Sequence, residues 1–307
     1  MAGPKIVVVG SSNTDMIVQV PRLPQIGETL LGGRFSMAPG GKGANQAVAA
    51  ARAGGSVTFI TRVGNDLFGE RAIEGYRQEG IDVSQISVDP KEATGVAFIL
   101  VGSHGENNIS VASGANLTLS SDLILQSKAS MADAQILLVQ LEVPLPAIHT
   151  AIEIASAANV RVILNPAPAQ PLDDTILRHI SILTPNETEA SLLTGTHVRD
   201  DKSIRKAAST LVARGVPTVI ITLGERGIYV ASPAFIGFVE GFTVEAVDTT
   251  AAGDVFNGAL AVSLTQGQSA EQVYRFANAA AAISVTRLGA QPSAPTLAEI
   301  KTFLSHH

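Results

Sequence analysis

Between residues 136 and 222 the chain alternates between short β-branched or leucine-rich runs and longer stretches of helical periodicity. The runs 136–141, 160–164, 180–183 and 218–222 read as buried strands, and 144–157 and 203–214 as helices. Strand, helix, strand at this spacing requires a parallel sheet with right-handed crossovers. Two more strands are predicted over 5–10 and 57–63, with helices over 47–53 and 67–79. The last third adds helices over 255–264, 272–285 and 297–304. The expected fold class is α/β.

Two stretches break the alternation. From 16 to 35, short apolar pieces are punctuated by Pro21, Pro24, Gly27, Gly32 and Gly33. A second piece over 94–101 turns through 102–108 and returns along 109–112 as a hairpin. Neither has a helix of its own to cover it. They read as a small β-sheet standing off the main body, a lid or a dimer contact, because an uncovered apolar sheet face needs a partner. The expected division is an α/β domain over 1–15, 36–93 and 113–307 with a lid over 16–35 and 94–112.

In open α/β sheets the ligand crevice lies beyond the carboxyl ends of the strands. After the first strand come Asn13, Thr14 and Asp15, where Asn13 and Asp15 suit either a small polar ligand or a turn. Glu142 follows 136–141, as a ligand group or a plain strand end. Asn186 and Glu189 stand three apart at a helix start, so both can reach one face. That carboxylate could hold hydrated Mg²⁺, or the two could simply cap the helix. Thr222-Leu223-Gly224-Glu225-Arg226-Gly227 is a tight turn joining two strands, a hairpin loop or a backbone rest for a nucleotide.

Two further motifs carry the most chemistry. Gly40-Gly41-Lys42-Gly43-Ala44-Asn45-Gln46 leads into an Ala-rich helix. It fails the P-loop pattern because Gly43, not Ser or Thr, follows Lys42. Lys42 and Asn45 offer donors suited to hydroxyls, and the alternative is a glycine-rich loop with a solvated lysine. Asp248-Thr249-Thr250-Ala251-Ala252-Gly253-Asp254 leaves a strand-like run over 242–247 and enters the helix 255–264. Its small residues let free N–H groups approach an anion at a helix N-terminus. Asp254 beside an anion site suits a base that faces a hydroxyl about to attack a phosphoryl group, or else a helix cap. As a base it is expected to have its pKa held low by the helix N-terminus.

Net charge is −6, aromatics make up 4% and no Lys/Arg cluster exists, so nucleic acid is not expected as a partner. The absence of cysteine excludes thiolate chemistry and Cys-ligated zinc and fits a reducing cytoplasm. No apolar run approaches the roughly 18 residues of a membrane span. Gly10-Ser11-Ser12-Asn13 lacks the GxGxxG of a dinucleotide dehydrogenase.

The two glycine-bearing motifs, at this separation and with Asn186-Glu187-Thr188-Glu189 between them, resemble the signatures of the ribokinase-like (PfkB) carbohydrate kinases. The resemblance extends along nearly the whole chain. It implies a Rossmann-like α/β/α sandwich with a discontinuous β lid, and lids that interlock two subunits into a homodimer. The implied reaction is transfer of the γ-phosphoryl group of MgATP to O5 of D-ribose, with Asp254 as base and the amides of Ala251, Ala252 and Gly253 as anion hole. By the same resemblance Asn13, Thr14, Asp15, Gly41, Lys42, Gly43, Ala44, Asn45 and Glu142 would bind sugar. Asn186, Thr222, Leu223, Gly224, Glu225, Arg226, Gly227, Gly253 and Asn278 would bind nucleotide, with Glu189 near magnesium through water. Asp248, Thr250, Ser284, Arg287, Gly289 and Ser293 would surround a K⁺ ion, several through main-chain carbonyls. Ala251 stands where much of the family has Gly, and its methyl narrows the allowed backbone angles. A kinase of 2-deoxyribose, fructose or a nucleoside, or a catalytically silent sugar sensor, are the alternatives. The polar residues of the sugar motifs argue against a nucleoside, which would want an aromatic or apolar wall.

Overall fold

The computed structural model describes residues 3–103 and 106–307. In chain order its strands are β1 (Lys5–Val9), β2 (Asn13–Gln19), β3 (Arg34–Gly40), β4 (Ser56–Ile60), β5 (Arg62–Gly64), β6 (Ser87–Asp89), β7 (Gly95–Val101), β8 (Asn107–Ala112), β9 (Ile136–Val139), β10 (Arg161–Leu164), β11 (Ile182–Leu183), β12 (Thr218–Thr222), β13 (Ile228–Ala231) and β14 (Ile236–Val239). The α-helices are α1 (Lys42–Arg52), α2 (Leu67–Gln78), α3 (Ser121–Gln126), α4 (Lys128–Ala132), α5 (Leu145–Ala157), α6 (Asp174–Leu177), α7 (Glu187–Thr194), α8 (Asp201–Ala213), α9 (Ala252–Ser263), α10 (Ala270–Ser284) and α11 (Leu297–His306).

Eight strands form one sheet in the order β14-β13-β12-β11-β10-β9-β1-β4. All neighbours from β12 to β4 are parallel, while β13 and β14 turn back antiparallel at one edge. The parallel strands are continuous apolar runs because both faces are covered. Val7, Val9, Leu137 and Val139 join Ile148 and Ile152 of α5 and Leu211 of α8 in one core. Their strand neighbours Ile6, Val8, Ile136 and Leu138 join Val48 of α1, Leu260 of α9 and Ala277 of α10 in the other. The result is a three-layer α/β/α sandwich.

Four strands form a separate mixed sheet in the order β3-β2-β7-β8, in which β2 and β7 are parallel and the outer pairs antiparallel. The hairpin expected over 94–112 is β7 with β8. His104 and Gly105, within its predicted turn, lie outside the described residues. The sheet starts close to the sandwich, for Asn13 pairs with Gly40 and with Gly95.

Some local expectations change. The segment 242–247 is not a strand: the N–H groups of Val247 and Asp248 both donate to Val285 O, at 2.7 and 3.1 Å, so the chain is tied to the end of α10 and not to the sheet. The expected strand 57–63 divides at Thr61 into β4, which stays in the main sheet, and β5, which leaves to pair with β6. The helix predicted from Ala47 starts at Lys42, so the glycine-rich motif runs from the end of β3 at Gly40 through the N-cap Gly41 into the first turn of α1.

Candidate active site

From β1 the chain proceeds to β4 on one side of the main sheet and from β9 to β12 on the other, so the strand order reverses between β1 and β9. At such a reversal the crossovers diverge and leave a crevice. Ser11, just past β1, donates from Oγ to Glu142 Oε2 at 2.5 Å, and the N–H of Lys42 donates to the same oxygen at 3.0 Å. The first turn of α1 reaches this place because its glycines allow it. Gly41 has φ 91°, and a Cβ on Gly43 would lie 2.6 Å from the Gly10 backbone.

Asp254 enters from the other end of the sequence, in the first turn of α9, and is buried. Asn45 Nδ2 donates to its Oδ2 at 3.0 Å, and Gln46 Nε2 donates to its Oδ1 at 2.9 Å. Ala251 caps α9 with φ 59° and ψ 13°, a left-handed conformation that turns the preceding loop into the helix. The Ala252 N–H is taken by Thr249 O at 3.3 Å, whereas the amides of Gly253 and Asp254 donate to nothing among the described residues. They are the orphan donors of a helix start, with the positive end of the dipole behind them.

The electrostatics correct one expectation. Burial raises the Asp254 pKa and outweighs the Lys42 charge and the two amide donors that favour its carboxylate, so the helix start does not hold it low. Lys42 moves upward too, chiefly through the Asp254 charge, with Glu142 and Glu189 adding to it against burial. Asp15 is pushed up to about 6 by burial and by the nearby Glu142 charge. Alternation along β2 puts Asn13 and Asp15 on one face and Thr14 on the other. Ala44 is fully buried and its N–H donates to Ser11 O at 2.9 Å.

Beside Gly253 opens a cavity of about 840 Å³ that also touches Asn186, Thr222, Gly224, Glu225, Gly227 and Asn278. Phe242, Val244 and Ala246 form part of its wall. Two expected nucleotide residues stand apart from it: Leu223 is in the core, and Arg226 pairs with Asp201. Asn186 and Glu189 form a reciprocal capping box on α7, Asn186 Oδ1 accepting from the Glu189 N–H and Glu189 Oε2 from the Asn186 N–H, each at 2.8 Å. Glu189 Oε1 accepts from Asn186 Nδ2 at 3.0 Å. An ionised carboxylate has about four acceptor sites, so Glu189 keeps capacity for the water shell of a magnesium ion.

Asp248 accepts from the N–H groups of Thr250 at 2.9 Å and Gly289 at 2.8 Å. Burial works against its charge, but these bonds win and keep its pKa below the ordinary value. A lasting negative charge at Asp248, beside the turn that follows α10, fits a monovalent cation. The Arg287 N–H donates to Ser284 O at 3.1 Å, the Arg287 guanidinium pairs with Glu299 at 2.6 Å, and Ser293 Oγ donates to Ala290 O at 2.7 Å. Among the described residues no group of three or more His, Asp or Glu side chains forms a metal cluster, so any such ion would rest largely on backbone oxygens.

Several residues at the site carried no signal in the sequence. Asn116 Nδ2 donates to Asn13 Oδ1 at 2.7 Å and fixes its orientation. Gln46, Gln140, Asn165, Thr184 and Asn257 are buried beneath Asp254. Gln46 lay in the glycine-rich motif, and Asn165 and Thr184 open the stretches 165–168 and 184–189 that close two strands, but Gln140 and Asn257 had no recognisable spacing.

A buried carboxylate at a helix start, with free amides beside it, an acid–amine cluster on one side and a large cavity on the other, defines a phosphotransferase acting on a small polar acceptor. The chain matches the pfkB family carbohydrate kinase model over residues 4–297 and belongs to that family. Among named relatives, the ribokinase of Haemophilus influenzae is 48% identical over 301 residues, 98% of each chain. The deoxyribokinase of Salmonella typhi is 38% identical over 301 residues, again 98% of each. A structure of Arabidopsis thaliana ribokinase complexed with ribose and ATP superposes with a TM-score of 0.91 at 34% identity, covering 99% of both chains.

Proposed function

We propose that this chain transfers the γ-phosphoryl group of MgATP to the 5-hydroxyl of D-ribose, giving D-ribose 5-phosphate and ADP. The observation that carries this reading is Asp254, held by Asn45 and Gln46 between the cluster of Asn13, Lys42 and Glu142 and the cavity of about 840 Å³. The sugar lies against Asn13, Asp15, Lys42, Asn45 and Glu142, with its 5-hydroxyl toward Asp254. ATP occupies the cavity between Asn186, Gly224 and Asn278, with its γ-phosphate at the amides of Gly253 and Asp254.

Asp254 takes the hydroxyl proton late, as oxygen attacks phosphorus and the bond to ADP breaks. A loose transition state needs placement and charge stabilisation more than a strong base. Lys42 and the α9 dipole stabilise the charge that gathers on the transferred group. Magnesium, held through water near Glu189, would neutralise the phosphates. A potassium ion at Asp248, Thr250 and Gly289 would fix the loop that presents the anion hole. The β2, β3, β7 and β8 sheet acts as lid, reaching beyond 16–35 to Asn13 and Gly40 and covering 94–112, and pairs with a second subunit through its exposed Phe35, Met37 and Phe98. A cytoplasmic location fits the use of ATP and a chain without cysteine; among the described residues no helix is long and apolar enough to cross a membrane.

The test is ADP release from MgATP with D-ribose, in potassium and in sodium buffer, with 2-deoxyribose and fructose in parallel. Turnover fastest with ribose and raised by potassium is the expected result. Faster turnover with another sugar moves the substrate and keeps the chemistry. Sugar binding without turnover on any of the three overturns the kinase reading.

A further inference from the structure

Beneath Asp254 lies a chain of buried side-chain amides with a fixed direction. Gln140 Nε2 donates to Gln46 Oε1 at 2.5 Å. Gln46 Nε2 then donates both to Asp254 Oδ1 at 2.9 Å and to Asn165 Oδ1 at 3.2 Å. Asn165 Nδ2 donates to Thr184 O at 3.1 Å, and Thr184 Oγ1 donates to Asn257 Oδ1 at 2.7 Å. Asn257 Nδ2 closes the path on Gly253 O at 2.8 Å, one peptide from Asp254.

Gln46 and Gln140 have no exposed surface, and Thr184 and Asn257 are 1% exposed. So many polar groups are costly to bury, and the observed orientations pair all of them among the described residues except Gln140 Oε1. The Gln46 amide cannot flip: its oxygen faces a donor, and its nitrogen faces two acceptors. Asn45 has a different place, because it belongs to the sugar cluster and leaves its Oδ1 without a partner among the described residues. Among the described residues the side-chain hydrogen bonds of Gln46 go to Gln140, Asn165 and Asp254, and it does not line the cavity.

We infer that Gln46 is the positioning residue of the base: its oriented amide holds Asp254 Oδ1 and keeps the buried carboxylate ionised and aimed at the acceptor hydroxyl. The inference rests on Asp254 being the base. Gln140 sets the Gln46 amide from behind, and the Asn165, Thr184 and Asn257 branch ties the same orientation to the backbone of the anion hole. One rigid unit thus places both the proton acceptor and the phosphoryl site.

Gln46→Leu removes the donor at similar volume. It is expected to lower kcat by about 10-fold to 100-fold, the scale of a misplaced catalytic group, with the sugar KM nearly unchanged. The acid limb of the kcat/KM profile should move up by about one pH unit, because a hydrogen bond to the charged form has been lost. Gln46→Glu keeps the shape and puts a second carboxyl beside Asp254, so its limb should move up further; it decides the matter if the Leu variant does not fold.

Both changes are also made in an Asp254→Asn background, where a residue acting through Asp254 should cost little more. An acid limb that stays in place in the Glu variant, or an equal kcat loss with and without Asp254, overturns the role of Gln46. Near-normal turnover in Asp254→Asn alone overturns the base assignment instead, so the two failures are separable.

Discussion

Asn45 Nδ2 and Asp254 Oδ2 meet at 3.0 Å across 209 positions of sequence, joining the first turn of α1 to the first turn of α9. Neither turn makes an active site alone. Together they place a buried carboxylate near Lys42 and Glu142 and orphan amides on the side of the large cavity.

Removing the charge at this meeting point is the most direct test of the chemistry. Asp254→Asn keeps the size of the side chain, and kcat is predicted to fall by roughly 10²-fold to 10⁴-fold, the range of a general base. Ribose affinity by calorimetry should change by less than about threefold, since a base acting late adds little to ground-state binding. A collapse of affinity with an intact kcat would make Asp254 a binding group.

Asp15 supplies a pH prediction. Its folded pKa of about 6 lies above the ordinary 3.8, so its ionisation opposes folding. Its contribution to stability is complete below about pH 4 and is lost as pH rises through 6. Asp15→Asn should flatten that fall and raise stability at pH 7 by about 2 kcal/mol, allowing for partial exposure. The same change should weaken ribose binding. Denaturant unfolding at pH 4, 5, 6 and 7 checks the first claim, and an unchanged pH slope would falsify it.

The alternating runs from 136 to 222 were legible because parallel strands covered on both faces must be apolar throughout, while their helices are apolar on one side. The helix after Ala251 was legible as an apolar, small-residue run too long for a buried strand, and it shows no polar face because residues 254–263 are all buried. The strand expected over 242–247 failed for an instructive reason. Phe242, Val244 and Ala246 line the cavity, but Thr243 between them lines it too, and the segment's end is held by Val285 O instead of a neighbouring strand. The motif around Lys42 was legible as a glycine-rich approach, but the sequence could not show that Gly43 serves the close contact of α1 with Gly10. The four amides and the Thr184 hydroxyl under Asp254 come from five separate segments, four of them distant from Asp254 in sequence, so only the fold assembles them.

On the lid, Met37, Met16 and Phe98 share one row and therefore one face, whereas Asp15 belongs to the next row and the opposite face. Phe98 is 55% exposed and Met37 46%, an apolar strip that a second lid would cover. Sedimentation should give twice the 31.7 kDa chain mass for the parent and the single mass for Phe98→Asp. A parent that sediments as a monomer at micromolar concentration would sink the proposed lid dimer.

Ala251 combines a sequence departure with a backbone cost. With φ at 59° its methyl crowds the carbonyl that follows, a strain of about 1 to 2 kcal/mol for a residue other than glycine. Glycine would relieve it but would also enlarge the unfolded ensemble, which takes back about 0.4 to 1 kcal/mol. Ala251→Gly is therefore predicted to stabilise by about 0.5 to 1 kcal/mol. Ala251→Val, β-branched in the same conformation, should destabilise by more than about 2 kcal/mol and disturb the helix start that carries Asp254. Urea unfolding orders the three proteins, and the predicted order is Gly above Ala above Val. Because the orphan amides of Gly253 and Asp254 follow this turn directly, the Gly variant trades rigidity for relief, and a modest fall in kcat beside its rise in stability is the expected signature. If the Gly variant were less stable than the parent, the left-handed turn would not be strained, and the methyl would stabilise it.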